Sequence, residues 1–111
     1  MTRYLISFAS DAMDHIPDEE IPDVAKAAHA VVQEAKDTGV FVFAGGVDGD
    51  VDPVTVGGDG TLTAGTYPLG GITVVDVTSR EAALEWAAKI ATACRCPQEV
   101  SAFQPDPAVG N

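Results

Sequence analysis

Residues 70–90 read GGITVVDVTSREAALEWAAKI, and this stretch decides the fold. The apolar, β-branched run at 72–77 predicts a buried strand. Thr78 and Glu81 have the T-x-x-E spacing of a capping box, in which each side chain satisfies a free backbone N–H group at the start of a helix. Apolar residues then recur at helical spacing as far as Cys94. We therefore expect an amphipathic helix that packs directly back on the strand.

The composition limits the classes of partner that this chain can have. Its 111 residues suit a single domain, and its 17 acidic against 6 basic residues give a formal net charge of -11. A surface of that sign repels nucleic acid and anionic membranes. We find no apolar run of 18 residues, and the first ten residues are typical of a strand rather than a signal peptide. We therefore expect an acidic, cytoplasmic protein that contacts neither nucleic acid nor membrane.

The two cysteines, Cys94 and Cys96, are separated by a single residue. A disulfide at this spacing would close a strained ring, and two thiols supply at most half of a metal site. We expect reduced thiols, as in a cytoplasmic protein, and no metal or other cofactor.

The remaining elements follow from periodicity and from turn residues. Alternation predicts a strand at 3–9, and an acidic loop with two prolines separates it from a helix that has Pro22 in its first turn and ends before a left-handed Gly39. A second strand at 40–44 leads into a glycine-rich excursion with a hairpin arm. The arm is expected around 61–63, with its turn at 58–60. The predicted apolar stripe of the first helix consists of Val24, Ala27, Ala28, Val31 and Ala35.

The last part of the chain completes the predicted fold. Pro97 is expected to stop the second helix, a strand follows at 99–103, and the tail at 105–111 is expected to be frayed or loosely docked. The order is β-α-β-(arm)-β-α-β, which predicts an α+β, ferredoxin-like βαββαβ fold with both helices on one sheet face. We expect one domain over 1–111, with its core at about 2–104.

The other face of such a sheet would be left uncovered. Two helices cannot cover all the alternating apolar residues of the strands, among them Phe41, Phe43, Ile72 and Val74. A second copy that stacks sheet on sheet would cover this face, so the sequence predicts a homodimer.

With these elements placed, the sequence resembles the YCII-related family and, within it, the branch of DGPF-domain proteins. The likeness lies in GGITVVDVTSREAALEWAAKI at 70–90, in AKDTGVFVFAGGV at 35–47 and in EVSAF at 99–103. It extends over nearly the whole chain. The resemblance implies a dimeric α+β barrel with a pocket between sheet and helices.

Two departures from the family bear on function. DGPF-type relatives carry T-D-G-P-F-A-E-T-K-E before the paired glycine, whereas this chain has the shorter TAGTYPL at 63–69, without the acidic and basic cluster. Relatives closer to YciI carry a helix histidine, proposed as catalytic with an aspartate, eleven residues before the glycine that ends the helix. That position is Ala28 here, and His29 lies one residue later, a rotation of about 100° around the helix.

His29 and His15 are the candidate general bases. His29 lies off the predicted apolar stripe, so it faces either solvent or an interface, or it faces the pocket with Asp48 or Asp76 to orient its ring. His15 lies in an acidic loop, where it is either an idle surface residue or close to the pocket mouth. The candidate ligand contacts are Tyr67, Thr66, Gly46 and Tyr4.

Four aspartates of the excursion have a spacing that is similar to a calcium-binding loop. They are Asp48, Asp50, Asp52 and Asp59, at loop positions 1, 3, 5 and 12. Pro53 occupies the position that needs glycine, and strands rather than helices are predicted on both sides. We therefore interpret them as a solvated acidic loop.

Two functions remain open. The first is a dimeric, accessory or regulatory protein that binds a small organic molecule, and the resemblance adds that DGPF-type relatives are associated with alternative sigma factors. The alternative is a lyase or isomerase with a histidine base oriented by an aspartate, since YciI-like relatives include an enzyme that acts on chlorinated aromatics.

Overall fold

The computed structural model describes residues 1–66 and 69–111. Its helices and strands are β1 (Thr2–Ala9), α1 (Ile21–Thr38), β2 (Phe41–Gly46), β3 (Val54–Val56), β4 (Leu62–Ala64), β5 (Leu69–Val77), α2 (Arg80–Cys94) and β6 (Glu99–Ala102). Short 3-10 turns occur at Asp18–Glu20 and Pro107–Val109. This order confirms the predicted α+β, ferredoxin-like arrangement with a hairpin arm.

The main sheet has the strand order β2-β5-β1-β6, and all its neighbouring strands are antiparallel. The stretch that decides the fold therefore supplies a central strand, β5, which pairs with β1 on one side and with β2 on the other. Tyr4 lies opposite Val75 in β5, and Ile6 lies opposite Val100 in β6.

The hydrophobic core lies between one face of this sheet and α2. Ile6 and Val75 are 0% exposed, and each contributes about 1.5–3 kcal/mol by removal from water. The side of α2 that faces them carries its buried residues, Ala83, Trp86, Ala87, Ile90 and Cys94. Helix α2 therefore packs on the strand that precedes it, as the sequence predicted.

Helix α1 packs mainly against α2 and also contacts β2. Pro22 lies in its first turn, and Gly39 ends it in a left-handed conformation at φ 85°, both as predicted. Val24 and Ala35 are buried, whereas Ala27, which the sequence placed on the apolar stripe, is exposed. Among the described residues, no helix is long and apolar enough to cross a membrane.

Both ends of α2 differ from the sequence prediction. Ser79, not Thr78, caps the helix: it is extended and its Oγ accepts a hydrogen bond from the N–H of Ala82 at 3.1 Å. The predicted capping box is therefore wrong by one residue. The helix ends at Cys94 because Arg95 adopts a left-handed conformation at φ 55°, before Pro97 is reached.

The face of the sheet away from α2 is not covered by either helix. Strand alternation places Leu5, Ile72 and Val74 on it, all half-buried, together with Phe43, which is 56% exposed. Phe41, which the sequence grouped with them, instead packs against the core.

The hairpin arm, β3 and β4, projects from this body. Its two strands pair with each other, and every residue in them is exposed. The radius of gyration is 15.5 Å, whereas about 13 Å is expected for a compact chain of about this length. The arm accounts for this difference because it packs chiefly on itself.

The tail forms a short 3-10 turn of its own at Pro107–Val109, and the expectation that it is frayed or loosely docked stays a prediction. Asp106 and Asn111 exchange backbone hydrogen bonds of 2.7 and 2.9 Å, and the Asp106 side chain accepts from the N–H of Ala108. The last predicted strand is also shorter by one residue, because it ends at Ala102.

Candidate functional site

A cleft of about 310 Å³ opens between α1 and the main sheet. Ala44, Gly45 and Gly46 of β2 line one side of it, and Ile72 and Thr73 of β5 continue that wall. Its volume is at the lower end of the range for small-molecule sites, which is about 300–1,000 Å³. The cleft therefore has room for a compound of one or two rings.

Helix α1 lines the cleft with a different set of residues from the stripe that the sequence predicted. They are Ile21, Val24, Ala25, Ala28, His29 and Val32. Four of these residues follow one another at intervals of four, three and four positions, which places them on one side of a helix: Ile21, Ala25, Ala28 and Val32. This second helical pattern was visible in the sequence and could have identified the cleft wall.

His29 is exposed and lies at the edge of this wall. The predicted rotation of about 100° from Ala28 does not remove it from the cleft, because both residues line it. The imidazole is thus a solvent-exposed part of the cleft lining.

Four further residues that line the cleft were missed by sequence reasoning, namely Phe8, Met13, Ile90 and Cys94. Burial, with a smaller contribution from the neighbouring Cys96, raises the pKa of the Cys94 thiol. A thiol that stays protonated is a poor nucleophile. The inner part of the cleft is consequently apolar and unreactive.

Neither aspartate that was considered as a partner for His29 lines the cleft. Asp48 lies in the exposed segment after β2, and its Oδ1 accepts a hydrogen bond from the N–H of Asp50 at 2.9 Å. Asp76 lies between buried Val75 and Val77, so its side chain is on the opposite face of the sheet. There its Oδ2 is 3.9 Å from Nε of Arg3. The described residues therefore form no histidine–aspartate pair in the cleft.

The other predicted site residues are scattered. His15 is exposed in the turns between β1 and α1, and Thr66 is exposed beyond the arm. The Tyr4 ring is buried in the core against α2, which explains why it does not line the cleft. Tyr67 lies outside the described residues. Of the four predicted ligand contacts, the structure places Gly46 in the cleft wall.

The acidic residues of the arm are held by local turns. Asp59 accepts a hydrogen bond from the N–H of Thr61 at 2.9 Å, just as Asp48 accepts from Asp50. Hydrogen bonds from the backbone and side chain of Thr61 lower the pKa of Asp59. Within 1–66 and 69–111, no three histidine, cysteine or acidic side chains converge as a metal site would require.

Comparison with known proteins gives a family and a fold. The model of the YCII-related domain matches residues 3–95. No curated protein sequence matches this chain. A solved structure of 5-chloro-2-hydroxyhydroquinone dehydrochlorinase (TftG) from Burkholderia phenoliruptrix AC1100, in complex with 2,5-dihydroxybenzoquinone, is similar with a TM-score of 0.55 and 13% identity. The likeness covers 96% of this chain and 97% of that one, and at this identity it concerns the fold alone.

Proposed function

Since this chain belongs to the YCII-related domain family, we propose that it binds a small, largely apolar organic molecule in the cleft between α1 and the sheet. The observation that carries the proposal is the lining of the cleft. Apolar side chains form most of it, and His29 and the Cys94 thiol are its titratable groups among the described residues. A binding protein of this kind would serve as an accessory or regulatory component.

The lining sets the chemistry of the ligand. A ring of the ligand lies against Val24, Val32 and Ile90, while one polar substituent reaches His29 at the mouth. A hydrogen bond to His29 contributes about 0.5–1.5 kcal/mol, less than the burial of the ring. The structural neighbour was solved with 2,5-dihydroxybenzoquinone, a single-ring compound with polar substituents, and our proposal places a molecule of this size class in the cleft.

A ligand-induced rise in melting temperature tests this proposal. We expect 4-methylphenol or indole at a hundredfold excess over its dissociation constant to stabilise the protein by about 2.7 kcal/mol. Ala28→Phe fills the cleft and should abolish the rise, whereas Ala27→Phe, the adjacent exposed position, should keep it. Equal shifts in the two variants would mean that the probes bind elsewhere.

A second candidate function is a lyase or isomerase in which His29 acts as general base. The position of His29 at the cleft mouth favours it, and the dehydrochlorinase activity named for the structural neighbour provides a precedent within the fold. The absence of a carboxylate beside His29 among the described cleft residues argues against it. His29→Gln separates the two: it should leave ligand binding within a few-fold if the protein only binds, and abolish turnover if it is an enzyme.

We also propose that the protein is a homodimer in which the open sheet faces stack to form an α+β barrel. Phe43 and the half-buried apolar residues beside it form a continuous apolar surface on this face. The arm adds exposed apolar residues that a partner would cover, Val51, Val54, Val56 and Leu62. An isolated two-stranded hairpin is marginally stable in water, so a covering surface would stabilise it.

Analytical ultracentrifugation tests the dimer. Phe43→Asp places a charge on the apolar sheet face that forms the proposed interface and should produce monomers. Val109→Asp, at an exposed apolar residue of the tail, is the matched control and should leave the dimer intact. A wild-type protein that sediments as a monomer at micromolar concentration would contradict the proposal.

A further inference from the structure

A second cavity, of about 250 Å³, lies at the end of β1 on the other face of the sheet from the cleft. Strand register places Ser7 opposite Glu99 and Ala9 opposite Leu69, and all four residues line this cavity. Ile6 is buried in the core, so alternation places the side chains on either side of it along β1, among them Ser7, on the open face. The sheet itself therefore separates this cavity from the cleft.

A buried hydroxyl group lies in the wall of the cavity. Ser7 is 7% exposed, and its hydroxyl makes no hydrogen bond to any other residue that the structure describes. A hydroxyl that is removed from water without a partner costs free energy, so a small apolar side chain would be more stable here. The serine therefore indicates a bound molecule that presents a polar group at this point.

A carboxylate lies beside this hydroxyl. Ser7 and Glu99 are cross-strand neighbours in β1 and β6, and the Cβ atoms of such a pair are about 4.5–5.5 Å apart. None of the ion pairs between described residues involves Glu99, which is exposed at the edge of the cavity. Its charge is therefore available to a bound cation, and the net charge of -11 attracts cations to the protein.

The rest of the described lining is apolar and consists of Phe8, Ala9, Ala12, Leu69 and Pro97. A molecule in this cavity thus contacts hydrocarbon except at Ser7 and Glu99. An ammonium group has three N–H donors and no acceptor, which matches a hydroxyl oxygen and a carboxylate side by side. An anion would be repelled by Glu99.

We propose that this cavity is a second binding site, which takes a small primary amine in its protonated form. The ammonium group donates to the Ser7 hydroxyl and to the Glu99 carboxylate, and the hydrocarbon part lies against Leu69 and Pro97. The inference does not depend on the function proposed for the cleft, because the two sites are on opposite faces. The cavity also adjoins the edge strand β6, whereas Phe43 of the proposed dimer contact lies in β2, at the other edge of the sheet.

Titration followed by amide NMR tests the proposal in the wild-type protein, because it reports the two sites separately. The amides of Ser7, Ala9 and Glu99 report the cavity, and those of Ala28 and Val32 report the cleft. Benzylamine is the probe, since an alkylamine is protonated at pH 7. Benzyl alcohol has about the same size without the charge, and benzoate has the opposite charge.

At the cavity amides we expect benzylamine to bind about fivefold more tightly than benzyl alcohol, the ratio that a partly exposed ion pair gives. Benzoate should not shift these amides. Equal affinities for the amine and the alcohol would overturn the inference. So would the absence of any shift at these amides with millimolar benzylamine, and neither result would affect the function proposed for the cleft.

A charge-removing variant and its control identify the carboxylate. Glu99→Gln should weaken benzylamine binding about fivefold and leave benzyl alcohol unchanged. Glu85→Gln makes the same change in net charge at an exposed position of α2 that lines neither site, so it should keep the wild-type affinity. Equal losses in the two variants would mean that only the overall charge attracts the amine, and the inference would fail.

The hydroxyl is tested by Ser7→Ala. The variant should bind benzylamine about threefold more weakly, because one neutral acceptor is lost. Its melting temperature without amine should not fall, since the hydroxyl has no partner among the described residues. A lower melting temperature together with unchanged affinity would assign Ser7 a purely structural role and contradict the inference.

Discussion

Replacing Gly71 by alanine perturbs the contact between the paired glycines and the Phe8 ring. The new methyl group would lie 2.8 Å from two ring carbons and 3.2 Å from the carbonyl oxygen of Gly45. The ring or the strand must shift by several tenths of an ångström to relieve these contacts. Overpacking of this kind costs about 1–3 kcal/mol.

Alanine also brings a gain, because it loses less backbone entropy on folding than glycine does, by about 0.5–1 kcal/mol. Subtracting the middle of the second range from the middle of the first, we expect Gly71→Ala to lower the free energy of unfolding by about 1 kcal/mol. For a chain of this length, this corresponds to a decrease in melting temperature of about 4–6 °C. Urea unfolding followed by circular dichroism measures the free energy directly.

Two variants make the prediction specific. Gly46→Ala is the matched control, because among the described residues its Cβ would meet nothing closer than the Gly70 carbonyl oxygen at 3.9 Å, and it should keep the entropy gain alone and raise the free energy of unfolding by about 0.5–1 kcal/mol. In the double variant Phe8→Ala/Gly71→Ala, the methyl group has room. The loss of stability in the double variant should be smaller than the sum of the losses in the two single variants by about 1 kcal/mol. Additive effects, or a Gly71→Ala protein as stable as Gly46→Ala, would refute the reasoning.

Three other predictions concern the helix end, the arm and the core. Arg95→Gly removes the strain of a left-handed arginine and should stabilise the protein by about 0.5–1 kcal/mol in thermal unfolding. The exposed ion pair to Glu20 is lost in this variant, but such pairs contribute little. A loss of stability would contradict the prediction. The pKa of Asp59, followed by NMR titration, should lie below its ordinary value of 3.8. The stability that the ionised carboxylate gives the arm is therefore present above pH 3.8 and is lost as the pH falls through the folded pKa. In Thr61→Ala, which removes the side-chain donor, the pKa of Asp59 should move back towards 3.8. Because burial raises the pKa of the Cys94 thiol above 9.0, the stability that the protonated thiol contributes is present below pH 9.0 and is lost as the pH rises through the folded pKa. Above pH 9, the free energy of urea unfolding should therefore depend less on pH in Cys94→Ala than in wild type. Equal pH dependence in the two proteins would contradict this.

The elements of the fold were predictable because their signals are local. Gly39 follows a helical pattern and has the left-handed conformation that a helix end requires, and the alternation in β1 reflects its two faces. The capping residue was missed because Thr78 and Ser79 are both good caps, and the backbone path alone selects Ser79. The turn within the tail was missed because it depends on backbone bonds between Asp106 and Asn111, which have no periodic signature.

The candidate site was harder to predict because it depends on how α1 lies against the sheet. The sequence identified His29 and Gly46, and both line the cleft, but it placed Tyr4 there as well. Strand alternation determines which residues share a face, but it does not say which part of that face a helix covers. Phe8 gave no signal of its own, because its position depends on glycines that are more than sixty residues away in the chain.

The separateness of the hairpin arm has a consequence for the changes in length that this chain tolerates. No residue of the core belongs to the stretch from Val47 to Thr66, and the strands on either side of it, β2 and β5, already pair with each other. An insertion or deletion in the arm therefore leaves the register of the main sheet unchanged. The arm is thus a part of the molecule that can gain or lose residues without disturbing the pairing of β2 with β5.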